Sequence, residues 1–524
     1  MGAALLALSA CADETGPRPG EIGFVPGFYG AIAADEPNAV LVARDALTAG
    51  GSAADGAVAL AFALTVSYPA GASLGSSGVC VVHDPGTGIT EALDFIAPAG
   101  QGADSPRGDR PAALPGLPRG MAALHARYGR IAWGQLVTPA ERMARFGHPM
   151  SRALNTKLAA AAGPLFADPG MRASFSTGGA GTELIPEGRQ LSQPDLGSVL
   201  GRIRLEGAGS VYVGPMSNRL IDAYNAAGGA ISPSAWRGFV AHWRRTVSVA
   251  IGNDLLHVPP PPAGGGVTLA QLWALSGDIA GGNEMAPRLH AFAELSRRVI
   301  AARASWLGQG MEEAAASALV SPANLATIAR GDALAGYAGS PDTGAGTGFT
   351  VVDRNGMAVA CSLTNYNPFG TGRIAPGTGV TPAAAPGKGP GRDASALTAG
   401  IVSNANNLVF RFAIAGGEGA ASAVAAAEVL DGAYRRGQGL QTAIAAPRAY
   451  HPGVPNILAL EPAAGEAVAQ SLRGMGDQVQ IIPGLGRVQA VWCPSGLPIK
   501  DEQLACDAAH DPRGHGLSSI FRQQ

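Results

Sequence analysis

The sequence predicts an α+β protein whose antiparallel sheets are covered by helices. Strand-like runs occur in pairs joined by tight turns, and helical patterns lie between those pairs. Hydrophobic residues make up 47% and charged residues 15% of the 524 residues, against roughly 25% charged in an ordinary globular chain. This composition excludes intrinsic disorder and predicts large buried elements.

The first half of the chain opens with two predicted helices. Residues 38–49 form a helical pattern that Gly50-Gly51 closes, and Ser52 with Asp55 makes a capping-box pattern for a second helix. Because that second helix is apolar on nearly all sides, we expect it to be buried. Two strand-like runs at 78–84 and 89–95 and helical patterns at 115–160, 215–228 and 285–308 follow.

From residue 348 the pattern changes to hairpins. The runs GFTVVDR and MAVACSLT flank Asn355-Gly356, which is the strongest short-range hairpin signal. IVSNA and LVFRFAIAG predict a second hairpin, and an Ala-rich helix is expected over 420–435. The prolines at 259–262 and the glycines after them predict a rigid and then flexible loop, and 376–397 a long loop.

Charge and motif content exclude several classes of function. The 37 basic and 39 acidic side chains leave a net charge of −2, so the basic excess that nucleic-acid binding needs is absent. No apolar run approaches the roughly 20 residues of a membrane-spanning helix. No CxxC motif or histidine cluster has metal-ligand spacing, and neither a metal nor another cofactor is expected.

The N-terminus resembles the signal of a bacterial lipoprotein. Residues 2–10 are small and apolar and lead to Cys11, whose thiol would be lipidated, and residues 1–25 would form signal and tether. This interpretation predicts a periplasmic protein held to a membrane only through its lipid anchor. The alternative is an irregular terminus with a chance cysteine.

Export would place the remaining cysteines in an oxidising compartment. Cys493 and Cys506 bracket a loop near the end of the chain and are candidates for a disulfide. Cys80 and Cys361 lie in apolar strand-like runs, where buried free thiols are expected.

Several segments, in this order, resemble the γ-glutamyltransferase family of N-terminal-nucleophile hydrolases. They are GGSAADGAVA (50–59), LGSSGV (74–79), the helical segment 115–140, PPPPAGGGVTLAQL (259–272), FTVVDRNGMAVACSLT (349–364), FGTGRIAPGTGV (369–380) and HDPRGHG (510–516). The resemblance covers nearly the whole chain after residue 25.

The resemblance implies a four-layer αββα sandwich made as one inactive precursor. Self-cleavage would give a large-subunit-like region, 26–346, and a small-subunit-like region, 347–524, that stay associated in one intertwined sandwich. A threonine at the new N-terminus would be the nucleophile, with its own amine as general base. The implied substrates are small molecules with γ-glutamyl or related amide bonds, as in glutathione metabolism.

The position of the nucleophile is open. The family nucleophile lies in a Thr-Thr-His-aromatic-Ser-Val-Val run, and counting back without gaps from Val351 and Val352 places it on Gly346. Thr347 would be the nucleophile if this chain lacks one residue of the family pattern between Thr347 and Phe349. Without such a gap, a shift by one residue in a strand turns the side chain to the opposite face of the sheet. Thr343 is a further alternative, and so is a lost nucleophile.

The resemblance carries further catalytic roles to three positions. Thr364 matches the family threonine that hydrogen-bonds the nucleophile, and Gly419 and Ala420 take the place of the paired glycines of the oxyanion hole. The alternatives are an ordinary strand threonine and a plain strand-to-helix turn.

The substrate-binding positions depart from the family pattern. Ser395 remains of a serine pair whose other member is Ala396, and Tyr366, flanked by Asn365 and Asn367, replaces an asparagine. The family arginine of an Asp-Phe-Arg-Glu run is absent after Asp94-Phe95, where isoleucine stands instead. An ordinary γ-glutamyl group would therefore bind more weakly by roughly several kcal/mol, which is the free energy of the charged hydrogen bonds that it loses.

Two functions from different classes follow. The first is a γ-glutamyltransferase-like acyltransferase or hydrolase that matures near Thr347 and acts on a non-glutathione acyl or amide substrate. The second is an inactive relative that uses its former pocket for binding or as a scaffold. A third interpretation takes the basic stretch 237–245 as an interaction patch, although such a stretch is more often the solvated face of a helix or strand.

Overall fold

A computed structural model describes residues 30–179, 181–277, 284–307, 311–331, 345–387, 394, 397–417, 419–497 and 506–521. Its strands are β1 Gly30–Ala34, β2 Ser77–Asp84, β3 Ile89–Asp94, β4 His148–Pro149, β5 Gln190–Leu191, β6 His242–Arg245, β7 Val247–Ile251, β8 Asp254–Val258, β9 Gly346–Asp353, β10 Ala358–Thr364, β11 Thr398–Asn404, β12 Phe410–Gly416, β13 Ala449–Tyr450, β14 Leu458–Leu460, β15 Val479–Ile481, β16 Val488–Leu497, β17 Asp507–Ala509 and β18 Leu517–Phe521.

The helices are α1 Pro37–Thr48, α2 Ala53–Ser67, α3 Leu117–Tyr128, α4 Trp133–Phe146, α5 Arg152–Leu165, α6 Pro169–Phe175, α7 Pro194–Glu206, α8 Pro215–Ala226, α9 Pro233–Gly238, α10 Gly264–Ser276, α11 Met285–Ala302, α12 Glu313–Ala318, α13 Pro322–Arg330, α14 Ala421–Leu430, α15 Leu440–Ala445 and α16 Glu466–Gly474. Several N-termini have a side-chain cap. In α2, Ser52 and Asp55 form the capping box that the sequence predicts.

Two large sheets form the centre of the molecule. One has seven strands in the order β18-β1-β9-β10-β2-β3-β6, and the other has six in the order β17-β16-β12-β11-β8-β7. Each sheet combines strands from before and after residue 346. The parts that the resemblance calls large and small are therefore interleaved within both sheets.

The two sheets face each other across a layer of small side chains. Ala358 and Ala360 of the seven-stranded sheet and Ala399, Ala413 and Ala415 of the six-stranded sheet are fully buried in one cluster. Side chains this small let the backbones of the two sheets approach each other closely where they meet.

Helices cover the outer face of each sheet. Phe349 and Val351 of β9 pack into the cluster of α1 to α4, and Phe412 and Ile414 of β12 pack into the cluster of α10, α11 and α14. All residues of α2 are buried, as its uniformly apolar sequence predicts. The expected α+β fold and its αββα layers are confirmed.

The hairpins were predicted well, and one loop was not. β9 and β10 are joined through Asn355-Gly356, and β11 and β12 form the second hairpin. The expectation of a flexible loop after the prolines was wrong, because the glycines from Gly264 begin α10. A Cβ on Gly265 would lie 2.1 Å from Thr398 Oγ1, so the glycine permits close helix packing.

Candidate active site

The candidate site lies where β9 begins. Ala345 precedes the strand, and its carbonyl oxygen accepts a hydrogen bond of 2.9 Å from the Asn365 amide. In the β9–β10 ladder, Gly346 then stands opposite Thr364, and Thr347 opposite Leu363. The peptide between Gly346 and Thr347 is therefore held by regular strand pairing inside the molecule.

Thr347 is bonded to a carboxylate in the interior. Its side chain is fully buried, and its hydroxyl donates a hydrogen bond of 2.8 Å to Asp35 Oδ2. Asp35 directly follows β1, which pairs with β9 so that Ala34 stands opposite Phe349. This pairing brings together two residues that are 312 positions apart in the chain.

The carboxylate of Asp35 is fixed by other groups. Gln489 Nε2 donates to Asp35 Oδ1 at 2.8 Å, and Arg487 Nη1 lies 3.7 Å from the same oxygen. Arg487 Nη2 in turn donates to the Tyr68 hydroxyl at 3.0 Å. Oδ1 is thus held by donors, while Oδ2 faces Thr347.

A buried ion pair lies beyond this group. Gln489 Oε1 accepts from the Asp511 amide at 3.3 Å, and Arg448 Nη1 lies 2.8 Å from Asp511 Oδ2. Burial alone raises the pKa of Asp511, but the charges of Arg448 and Arg513 outweigh it and hold the pKa below its ordinary value. The HDPRGHG segment therefore has a structural role through Asp511.

Glycines line the peptide between residues 346 and 347 on several sides. A Cβ on Gly417 would lie 2.2 Å from Thr347 N, and one on Gly71 would lie 2.8 Å from the carbonyl oxygen of Gly346. A Cβ on Gly346 itself would lie 2.3 Å from the carbonyl oxygens of Gly417 and Leu363. Backbone therefore meets backbone here, and no side chain fits at position 346.

The face of Thr347 follows from its register. Thr347 lies on the same side of β9 as Phe349 and Val351, toward the helices, whereas Gly346 and Gly348 face the other sheet. Thr347 and position 346 therefore point to opposite sides of the sheet, which is the consequence of a one-residue shift.

Thr364 lies beside this peptide without contacting the Thr347 hydroxyl. Its Oγ1 accepts from the Tyr366 amide at 2.9 Å and lies 3.5 Å from the carbonyl oxygen of Ala345. The hydrogen bond to the nucleophile that the resemblance implies is therefore not formed with Thr347 in this uncut chain.

Gly419 and Ala420 form the turn that leads from β12 into α14. Gly419 has a φ of +67°, and Ala420 is the N-cap residue of α14 with helical dihedrals. Gly417, two residues earlier, touches the backbone of Thr347. The amides at the start of α14 have the polarity that favours an oxyanion.

The predicted substrate-binding residues are engaged within the fold. Asn365 Oδ1 accepts from Ser73 and Ser76 at 3.1 and 2.6 Å, and Nδ2 donates to the carbonyl of Pro69 at 3.1 Å. Tyr366 is buried, and its hydroxyl donates to the carbonyl of Ala97. Asn367 is exposed, and its amide donates to Gly370. Asn365 and Tyr366 therefore hold neighbouring loops.

The place of the missing arginine is apolar. Ile96 packs against the cluster of Val79, Ala263 and Leu397. Asp94 keeps local partners, because it accepts from the Ile96 amide at 2.9 Å and lies 3.7 Å from Arg244. Thr343, Ser395, Ala396 and Cys11 lie outside the described residues.

The cysteines form two disulfides. Cys493 and Cys506 are bonded, and so are Cys80 and Cys361, which stand directly opposite each other on β2 and β10. The expectation of free thiols at Cys80 and Cys361 was wrong. Their pairing depends on the register of two strands that are distant in the sequence, which composition does not reveal.

The basic stretch 237–245 carries charges of both signs around it. Arg244 lies near Asp94 and Arg245 near Glu313, so the basic stretch is partly neutralised. Among the residues that the structure describes, no group of three His, Cys, Asp or Glu could hold a metal ion. The helices of the described ranges include none that is both long and apolar enough to span a bilayer.

The sequence prediction missed three residues of this site. Asp35 carried no motif, and only the pairing of β1 with β9 places it beside Thr347. Gly71 and Gly417 were two of 75 glycines. The available signal was that Gly417 directly follows the apolar strand β12, where a glycine often permits a close backbone approach, whereas Gly71 lies in the turn after α2 and had no such signal.

Comparisons with known proteins identify the family of this chain. A profile described as Gamma-glutamyltranspeptidase matches residues 39–521. The glutathione hydrolase proenzyme of Pseudomonas aeruginosa is 27% identical over 548 aligned residues, covering 94% of this chain and 95% of that protein. The acylase ACY 1 proenzyme of Pseudomonas sp. (strain SE83) is also 27% identical, covering 90% and 94%.

A solved structure supports the fold. The cephalosporin acylase from Bacillus halodurans superposes with a TM-score of 0.77 at 21% identity, covering 98% of this chain and 99% of that one. Both sequence relatives are named as proenzymes. Since the profile spans nearly all of the sequence and the sandwich has the expected layers, the chain belongs to the γ-glutamyltranspeptidase family of N-terminal-nucleophile hydrolases.

Proposed function

We propose that this protein is an amide-bond hydrolase or acyltransferase that cuts its own backbone between Gly346 and Thr347 and then uses Thr347 as its nucleophile. The observation that carries the proposal is the bond of 2.8 Å from the buried Thr347 hydroxyl to Asp35, at the head of β9. The family and its proenzyme relatives support activity on amide bonds.

Cleavage supplies the base for turnover. The new α-amine of Thr347, with an ordinary pKa of about 8, accepts the hydroxyl proton while the oxygen attacks the substrate carbonyl. The substrate C–N bond breaks, the amine leaves with a proton, and the acyl group stays on Thr347 as an ester. Water or another amine then takes the acyl group and restores the hydroxyl.

The surroundings fit the remaining needs of this reaction. Gly419 and Ala420 lead into α14, and its N-terminal amides would supply the positive polarity that stabilises an oxyanion. Cleavage would also remove the peptide bond between Thr347 and Gly346. As the first residue of its piece, Thr347 could then turn its hydroxyl away from the side of β9 that it faces in the uncut chain.

The acyl group of the proposed substrate is not an ordinary γ-glutamyl group. Ile96, Val79 and Leu397 form an apolar cluster where the family pattern has an arginine. Val79 and Leu397 are buried, whereas Ile96 is half-buried and gives an arriving carboxylate no partner, so charged acyl groups would lose binding energy there. We therefore propose amides of apolar acids as the substrate class.

One observation favours a second candidate, an inactive binding protein. Without gaps, the nucleophile position falls on Gly346, and a Cβ there would overlap two carbonyl oxygens. A chain that evolved away from catalysis would tolerate such closure of the site. In that case the polypeptide would stay uncut.

Maturation of the full chain separates the two candidates. On a reducing denaturing gel, cleavage gives pieces of about two-thirds and one-third of the chain, and Edman sequencing of the smaller piece should begin at Thr347. Thr347→Ala should stay intact. Thr350→Val is the matched control, because the Thr350 hydroxyl is buried on the same strand with no hydrogen-bond partner among the described residues.

The cellular location is part of the same proposal. Two disulfides are typical of oxidising compartments, which supports export of the protein to the periplasm. Attachment through a lipid on Cys11 remains a proposal, tested by a mass increase of the N-terminal peptide that Cys11→Ser removes.

A further inference from the structure

We propose that Asp35 is the base that removes the Thr347 proton during self-cleavage, a step that the mature enzyme no longer needs. The inference rests on the proposed function. In the uncut chain, the nitrogen of Thr347 belongs to a peptide and has no lone pair available for a proton. The amine that serves as base in turnover is therefore absent when the first bond must break.

The uncut structure holds an alternative acceptor in place. The Thr347 hydroxyl donates to Asp35 Oδ2 at 2.8 Å, and the Gly348 amide lies 3.4 Å from the same oxygen. Asp35 is only 1% exposed and Thr347 is fully buried. A general base must lie within hydrogen-bonding distance of the proton that it takes, and Asp35 meets that condition.

The orientation of Asp35 is also suited to this role. Gln489 Nε2 binds Oδ1 at 2.8 Å, and Arg487 Nη1 lies 3.7 Å from that oxygen. These donors fix one side of the carboxylate and leave the Oδ2 side toward the hydroxyl. Because Gln489 lies in β16, Arg487 directly precedes it and the hydroxyl comes from β9, the arrangement depends on the two sheets being assembled.

The reaction balances as follows. Thr347 Oγ1 bonds to the carbonyl carbon of Gly346 while its proton passes to Asp35 Oδ2. The C–N bond then breaks, and Asp35 returns the proton to the nitrogen, which becomes the free amine. Water hydrolyses the resulting ester to the carboxylate of Gly346 and the hydroxyl of Thr347, so one water is consumed per cleavage.

Room for the reacting carbonyl comes from Gly71. Its missing side chain leaves the Gly346 oxygen uncovered, since a Cβ there would lie 2.8 Å from that oxygen and 3.1 Å from the carbon. The hydroxyl that contacts Asp35 and the carbonyl that Gly71 leaves open therefore belong to adjacent residues of one strand.

The test compares maturation rates of full-length variants. Intact chain is quantified over time by mass spectrometry under reducing conditions. Asp35→Asn should slow cleavage at Thr347 by about 100-fold or more, the usual size of a general-base effect. Asp35→Glu, which keeps the carboxylate, should recover part of the rate.

The matched control is Glu36→Gln, the same change one residue later. Glu36 is also buried, but its carboxylate accepts from Ser67 and from the Ala39 amide at the start of α1. Cleavage in this variant should stay within a few-fold of the unaltered chain. Circular dichroism and the midpoint of thermal unfolding establish that each variant is folded.

The outcomes separate this inference from the proposed function. If the unaltered chain is never cut before Thr347, both are rejected. If it is cut there and folded Asp35→Asn is cut equally fast, only the role of Asp35 is rejected. If Asp35→Asn does not fold, Asp35→Gln and Asp35→Glu are compared instead: faster cleavage in the variant that keeps the carboxylate supports the role, and equal rates overturn it.

Discussion

Gly417 and Thr347 touch through their backbones where β12 ends and β9 begins. A Cβ on Gly417 would lie 2.2 Å from the nitrogen and 2.4 Å from the Cα of Thr347. Backbone atoms of two hydrogen-bonded sheets cannot rotate away as the tip of a side chain can. The contact therefore requires glycine and joins the two sheets at the candidate site.

Gly417→Ala should destabilise the protein for this reason. Overpacking of a buried contact costs about 1–3 kcal/mol, so we expect a clearly lower midpoint of thermal unfolding. Gly163→Ala is the control, because nothing lies within 4 Å of a Cβ added to that residue of α5. Alanine in a helix is more stable than glycine by roughly 0.5–1 kcal/mol, so the control should not lose stability. Equal midpoints for Gly417→Ala and the unaltered chain would contradict the contact.

Gly71→Ala should slow self-cleavage. The added methyl group would press on the carbonyl of Gly346, which must move out of plane as it is attacked. Loss of intact chain over time measures the effect on a reducing gel.

Gly56→Ala is the matched control for this change. Gly56 lies in the buried helix α2, and a Cβ there would meet side-chain atoms of Val351 and Leu47, which can shift. We expect Gly56→Ala to mature at nearly the normal rate. Equal slowing by both substitutions would mean that general packing, not the carbonyl of Gly346, is responsible.

Local sequence patterns predicted the elements but not the contacts that build the site. The Ser52 capping box and the Asn355-Gly356 hairpin depend on neighbours within a few residues, and both formed as expected. Asp35 meets Thr347 only through strand pairing across 312 residues, and no local pattern encodes that. The αββα layers followed from the resemblance, whereas the engaged state of Asn365 became visible only with the loops around it.

The same limit applies to polar residues in helices. Glu428 lies in the Ala-rich stretch that the sequence predicts to be a helix. Its side chain is buried because α14 packs between a sheet and neighbouring elements, which the local sequence does not reveal. Burial raises its pKa from 4.5 to about 7, and the charges of Arg288 and Arg448 oppose that rise. Its Oε1 has no hydrogen-bond partner within the described ranges.

Glu428 should therefore make the fold less stable as the pH rises. Between pH 4.5 and about 7 the unfolded carboxyl loses its proton while the folded one keeps it, so the free energy of unfolding falls with pH in this window. At 1.36 kcal/mol per pKa unit, the total loss is about 3 kcal/mol.

Glu428→Gln removes the titrating group and should remove this loss. The stability advantage of the variant should grow from pH 4.5 to 7 and then stay constant, as measured by denaturant unfolding at each pH. Glu466→Gln, an exposed change on α16, controls for loss of a negative charge. A constant difference between Glu428→Gln and the unaltered chain across this range would contradict the raised pKa.

The disulfide between Cys80 and Cys361 should hide self-cleavage on a non-reducing gel. Cys80 precedes and Cys361 follows the proposed cut before Thr347, so the bond joins the two pieces covalently. A matured sample should therefore run as one band without reductant and as two with it. Cys80→Ser should give two bands under both conditions, whereas Cys493→Ser should not, because Cys493 and Cys506 both lie after the cut. Two bands from the unaltered protein without reductant would mean that Cys80 and Cys361 are not joined.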